Sequence, residues 1–185
     1  MKTNDKKDYP VLIEYLEGSL NDKDLYDLEG ILNKANLSLI KRECPSVYLN
    51  GIEELFPAIK VILSHEITQV IVLGLATNFI YDALKNFVLN LYKKMKNKKL
   101  FKITIKKINE LDSTINIVVG KVTIILPSDL DDDKFKYCIN KIVDTFTPES
   151  IEVETYWKYD YEHQIFRCYS KEKLIEKYYD ESKNK

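Results

Sequence analysis

Ile67–Met95, ITQVIVLGLATNFIYDALKNFVLNLYKKM, organises everything around it. Its apolar residues Val70, Leu73, Ala76, Ile80, Leu84, Phe87, Leu91 and Met95 recur at steps of three and four. That is the period of a helix face, not the alternation of a strand. Read as one helix, the stretch is about 40 Å long at 1.5 Å per residue, enough to cross a small domain. The run Ile67–Tyr81 is uncharged, but Asp82 and Lys85 end it short of the roughly 18 to 20 apolar residues a membrane span needs. Thr68, Gln69, Thr77 and Asn78 dilute it further, so the reading is a buried core helix.

Upstream, Val11–Leu16 lies between Pro10 and Gly18 and predicts a strand. Asn21 or Asp22 can cap a helix whose face is Leu25, Leu28, Leu32 and Ala35, and Leu37–Glu43 alternates as a second strand. Pro45 and Gly51 break the chain, and Ile52–Ser64, with Pro57 inside it, is expected to form a short helix. Downstream, Leu100–Lys107, Thr114–Val119 and Lys121–Leu126 predict an antiparallel meander of three strands, turning at Asp112-Ser113 and Gly120. Phe135, Cys138, Ile139, Ile142, Val143 and Phe146 form another helical stripe, stopped at Thr147-Pro148. Ile151–Trp157 and Gln164–Tyr169 predict a hairpin, and Ser170 can cap a last helix. The fold class expected is α+β. A β-α-β start, long central helix, meander and further helix make a core domain over residues 9–147. A hairpin and helix extension packed on that core, or forming a single domain with it, follows over 148–185.

The 185 residues fit one such domain, and 45% hydrophobic with 31% charged residues is an ordinary globular composition. A net charge of -1 gives no global reason to expect nucleic acid or an acidic substrate. Lysine, asparagine and isoleucine are abundant, which points to an AT-rich bacterial or phage genome. Residues 1–8 are polar with no apolar signal core after them, and three unspaced cysteines argue for a reducing compartment. The expected location is cytoplasmic.

Glycines stand singly, so no loop can wrap a phosphate with successive N–H groups, and no G-x-S-x-G or H-E-x-x-H occurs. No cofactor is implied. Asp129, Asp131, Asp132 and Asp133 offer oxygens to Mg²⁺ or Ca²⁺, but they precede a helix, lack a calcium loop's glycine and terminal glutamate, and read as a cap by Ser128 or Asp129. No metal site is therefore expected. His65 and His163 are the only histidines. Cys138 sits on an apolar stripe, Cys44 precedes Pro45, and Cys168 lies five residues from His163 on an extended strand, where their side chains diverge. None of them makes a catalytic pair.

Two surfaces remain. Lys93, Lys94, Lys96, Lys98, Lys99, Lys102, Lys106 and Lys107 concentrate positive charge at a helix end and on the next strand. Cations there suit the helix dipole and a solvated strand face; Lys96, Lys98, Lys99 and Lys102 are the candidates for weak, non-specific contact with a nucleic-acid backbone. The last hairpin holds Tyr156, Trp157, Tyr159, Tyr161, Phe166 and Tyr169 with Arg167. Aromatics and arginine dominate binding hot spots. Trp157, Tyr159, Tyr161 and Arg167 are thus the candidates for contact with a protein partner or a second copy.

The order strand, helix, strand, then a long helix with Gly74 and Ala76 feeding the basic Lys93–Lys107 region, resembles the effector-associated constant domains of bacterial conflict systems. The resemblance covers Val11–Val119; the chain differs in using lysine for arginine and in its elements after Gly120. It implies a non-enzymatic recognition or adaptor module in prokaryotic defence. The alternatives from the residues are a nucleic-acid-binding protein using the lysine patch and a small hydrolase with a dispersed site.

Overall fold

Alternating burial along Tyr9–Leu16 (β1), with Val11, Ile13 and Tyr15 inside, begins a sheet that runs through the whole chain. The computed structural model describes residues 9–45, 58–72, 78–96, 100–103, 108–111, 114–127, 129–143, 147 and 149–183. Among them are five α-helices and nine strands. After β1 come α1 (Asp22–Asn33), β2 (Leu37–Cys44), β3 (Ile59–Leu63), α2 (His65–Val72) and α3 (Asn78–Met95). Then follow β4 (Leu100–Ile103), β5 (Ile108–Leu111), β6 (Thr114–Val119), β7 (Val122–Pro127), α4 (Asp132–Val143), β8 (Thr155–Asp160), β9 (Ile165–Tyr169) and α5 (Lys171–Lys183).

Seven strands form one mixed sheet in the order β2-β1-β3-β6-β7-β8-β9, and β4 and β5 pair separately. The pairs β1/β2, β3/β6 and β7/β8 are parallel, while β1/β3, β6/β7 and β8/β9 are antiparallel. Parallel neighbours need a crossover, and a helix-bearing segment supplies each one: α1, then α2 with α3, then α4. The class is mixed α and β, with a sheet larger than the expected meander.

That meander is corrected. The first of its strands pairs with Ile108–Leu111 in its own two-stranded ribbon, whereas β6 and β7 lie inside the large sheet. The cause is visible in β6, where Ile115, Asn116 and Ile117 are consecutive buried residues; a strand buried on both faces belongs in a sheet interior. The expected helix over Ile52–Ser64 is also corrected where it is described, because Ile59–Leu63 is a strand. Its run IKVIL is rich in β-branched residues, and Ile59 and Val61 point into the core. The Ile67–Met95 stretch carries two helices, α2 and α3; residues 73–77, with Gly74 and Ala76, lie outside the described residues. Finally, β8 runs beside β7, so the last hairpin continues the sheet of the preceding residues.

Helices α1 to α4 build the core on one face of the sheet. Asn21 caps α1 through a capping box with Asp24, and Leu25, Leu28 and Leu32 turn inward. Helix α3 adds Leu84, Phe87, Leu91 and Met95, which join Val11, Ile13, Ile59, Val61, Ile115, Ile124 and Leu126 in one cluster. Lys94 fixes α3 to α1, with Nζ 3.0 Å from Asp24 and 2.9 Å from Asp27. Tyr92 fixes α3 to α4, its ring stacked on Phe135 with centroids 3.8 Å apart. Residues of opposite parity point to the other face, where α5 covers β8 and β9. There Lys158 Nζ stands 4.0 Å over the Tyr178 ring, and Ile125 and Leu174 are buried outside the main cluster.

Two glycines test this arrangement in opposite directions. A Cβ on Gly30 in α1 would meet open space, so Gly30→Ala should raise the unfolding free energy by about 0.5 to 1 kcal/mol. Gly120, at φ +60° in the β6–β7 turn, would place a Cβ 2.8 Å from the Ile151 carbonyl oxygen. Gly120→Ala should therefore lower stability by about 1 to 3 kcal/mol. Urea denaturation of both variants measures this, and a neutral Gly120→Ala would contradict the close approach of the Ser150–Glu152 turn to the hairpin.

Candidate functional site

Because β7 and β8 are parallel, their carboxyl ends open at the same edge of the sheet. That is where ligands of open α/β sheets are commonly received. The segment after β7 enters α4; the segment after β8 is the tight turn Tyr161–Gln164. Between them is a cleft of about 220 Å³ lined by Asp129, Leu130, Asp131, Lys134, Tyr159, Tyr161 and Gln164.

Each wall is held in place. Asp131 caps α4, its Oδ1 accepting the Lys134 N–H at 2.8 Å. This replaces the Ser128 or Asp129 cap expected from sequence, Ser128 being outside the described residues. The Lys134 backbone N–H, together with the Lys134 ammonium, keeps the Asp131 carboxyl below the usual aspartate range against the opposing effect of burial. Leu130 is buried, and its carbonyl accepts the Tyr92 hydroxyl. Burial, then the carboxylates of Asp132, Asp129 and Asp131, push the Tyr92 phenol up to about 12. Across the cleft, the Tyr161 hydroxyl donates to Asp129 Oδ1 at 2.5 Å. Tyr161 meets Tyr159 edge to face, with centroids 5.2 Å apart and planes at 86°.

The turn itself is organised by Asp160. Its Oδ1 accepts the Glu162 N–H at 3.0 Å and the His163 N–H at 3.3 Å. Its Oδ2 lies 2.7 Å from Arg167 Nε and 3.1 Å from His163 Nδ1. Burial alone would raise the Asp160 carboxyl, but the His163 N–H and ring and the Arg167 guanidinium outweigh it and lower its pKa. Gln164 closes the turn at φ 55°, a left-handed conformation uncommon outside glycine. Asp160, Glu162 and His163 bring three ligand atoms within 4.8 Å of one another. Arg167 already supplies the positive charge on Asp160, however, and a bound cation would have to displace it. On the first turn of α4, Asp132 pairs with Lys96 at 2.8 Å and Asp133 lies 3.7 Å from Lys136.

The candidates from sequence are thus distributed. Tyr159, 4% exposed, belongs to the main core, and Trp157 is half-buried against that core. Tyr161 is 54% exposed at the cleft rim. Arg167 lies opposite Lys158 on the other face of the hairpin and is bound to Asp160. Lys96 binds Asp132 and sits 5.7 Å over the Tyr92 ring. Lys98 and Lys99 lie outside the described residues, as does the side chain of Lys102, whose backbone is in β4. His65 hydrogen-bonds Gln69 at 2.8 Å. Local desolvation raises the Cys168 thiol, the reverse of what a nucleophile needs. The cleft-lining roles of Leu130, Lys134 and Gln164 were not read from sequence, and Asp129 and Asp131 were read only as part of a helix cap. The available signal was a polar loop leading from a strand into a helix, which becomes meaningful only once β8 is known to return beside β7. No helix is long and apolar enough to cross a membrane among the described residues. No family model, no curated protein and no solved structure matches this chain.

The Asp160 network makes a pH prediction. A carboxyl with a lowered folded pKa contributes stability that is whole well above its unfolded value of about 3.9 and is lost as pH falls through the lower folded value. Asp160→Asn should therefore lower the melting temperature at pH 7 and flatten its fall in acid. Thermal melts from pH 7 to pH 2 measure this; parallel curves for the two proteins would contradict it.

Proposed function

We propose that this protein is a non-enzymatic binding module. It engages a protein partner through the tip of the β8–β9 hairpin and the adjoining β7–α4 loop. The observation that carries this reading is a cleft with fixed walls at the carboxyl ends of two parallel strands, rimmed by the exposed Tyr161. Ile165, 50% exposed, stands at the other end of the same turn. An aromatic anchor on a pre-organised turn loses little entropy on binding, which is how hot spots concentrate affinity. An adaptor role in bacterial defence, implied by the resemblance in layout, is a use such a surface would serve.

The alternatives have less support. Among the described residues, His163 is engaged by Asp160 and His65 by Gln69, and the Cys168 thiol is raised. No nucleophile and base are paired there for a hydrolase. In the lysine patch, Lys94 is held by Asp24 and Asp27 and Lys96 by Asp132, so a phosphate backbone would have to displace those acids to use these two lysines; Lys98 and Lys99 lie outside the described residues.

Selection of a random peptide library on the immobilised protein tests the proposal. Enriched peptides should bind the parent and lose about tenfold or more in affinity to a Tyr161→Ala, Ile165→Asp double variant that retains its circular dichroism. A selection that enriches nothing, or peptides that bind both proteins alike, would overturn it.

A further inference from the structure

We infer that the cleft receives one cationic side chain, lysine or arginine, from the partner, seated between the carboxylates of Asp129 and Asp131 and the ring of Tyr161. This rests on reading the hairpin tip as the partner surface. Three physical features select that guest. The first is size: about 220 Å³ is smaller than the roughly 300 to 1,000 Å³ of pockets that enclose small molecules, but it accommodates one long side chain. The second is the composition of the walls. The lining combines the exposed carboxylates of Asp129 and Asp131 and the exposed phenol of Tyr161 with the buried, apolar Leu130 and Tyr159. A cation with an apolar stem matches both, its head meeting the acids and ring and its stem lying along Leu130 and Tyr159.

The third feature is the electrostatics of the α4 terminus. A free helix N-terminus would favour an anion, but Asp131 occupies that position and Asp129 stands beside it. Lys134 is the cation already present, with its Nζ 3.5 Å from Asp131 Oδ2. That pair is half-exposed and three residues apart on one helix turn, and such surface pairs hold weakly. A guanidinium arriving from a partner can take its place and add contact with the Tyr161 ring. The hydrogen bond from Tyr161 to Asp129 fixes the ring beside the carboxylates before any guest arrives. Asp132 and Asp133 extend the negative field outward on the first turn of α4, while Lys96 and Lys136 partly offset it.

The probes are Nα-acetyl-arginine amide and Nα-acetyl-lysine amide, with Nα-acetyl-norleucine amide as the uncharged control. They are titrated into the 185-residue protein and followed by ¹H–¹⁵N NMR. Saturable shifts are expected at the amides of Asp131, Lys134, Tyr161 and Gln164 with the two cations. Norleucine amide should bind about two- to thirtyfold more weakly, the range that a cation over an aromatic ring provides between exposed and dry sites. Asp129→Asn should weaken the arginine probe, and Lys134→Glu should strengthen it. Equal binding of norleucine amide, or the absence of saturable shifts, would overturn the inference. Library peptides that bind at the hairpin tip through acidic or apolar anchors would also overturn it while leaving the partner surface in place. Failure of all peptides to bind would remove the partner surface itself.

Discussion

The junction of Tyr92 with Phe135 and Leu130 holds this structure to its candidate site. Tyr92 lies near the end of α3, is 1% exposed, and stacks on Phe135 from α4. Its hydroxyl donates to the Leu130 carbonyl in the loop that lines the cleft. A buried carbonyl without a donor costs about 1 to 3 kcal/mol, so the loop has one strongly preferred position. The phenol is pushed up to about 12, and it remains a donor throughout the physiological range. The central helix thereby positions the β7–α4 loop, and that loop positions Asp129 and Asp131.

A second constraint comes from the sheet. Parallel pairing of β7 with β8 requires the chain to travel through α4 and return, which places the hairpin turn beside the start of that helix. The turn is then stiffened from the opposite face by Asp160, whose two oxygens bind two backbone N–H groups, Arg167 and His163. Fixing the cleft from both sides in this way lowers the entropy lost when a partner binds.

Local features of the sequence were legible. The cap at Asn21, the Leu25, Leu28 and Leu32 face and the Ser170 cap all depend on residues a few positions apart, as does the last hairpin, although its first arm is Thr155–Asp160 instead of Ile151–Trp157. Pairing between distant strands was not legible, because a sheet's neighbours are set by packing rather than by local propensity. Ile59–Leu63 became a strand between β1 and β6 despite Pro57 just before it. Alternation places Trp157 and Tyr159 on one face, but that this is the core face follows only from the partnership of Trp157 with Ile124 of β7. Asp160 carries no signal in the sequence that separates it from the other polar residues of the hairpin tip, yet it is a buried hub. Similarly, part of the lysine concentration after Tyr92 is structural. Burial would lower the pKa of Lys94, yet the hydrogen bonds and charges of Asp27 and Asp24 raise it, the mark of a cation that the fold itself uses.

Amide hydrogen exchange at Leu130–Lys134, compared between the parent protein and Tyr92→Phe, tests most directly whether the helix pre-organises the cleft. The substitution keeps the aromatic stack and removes only the donor to Leu130. The account predicts that exchange in this loop quickens while the amides of β1 and β6 keep their protection. Unchanged exchange at Leu130–Lys134 would contradict it, because the loop would then hold its place without Tyr92.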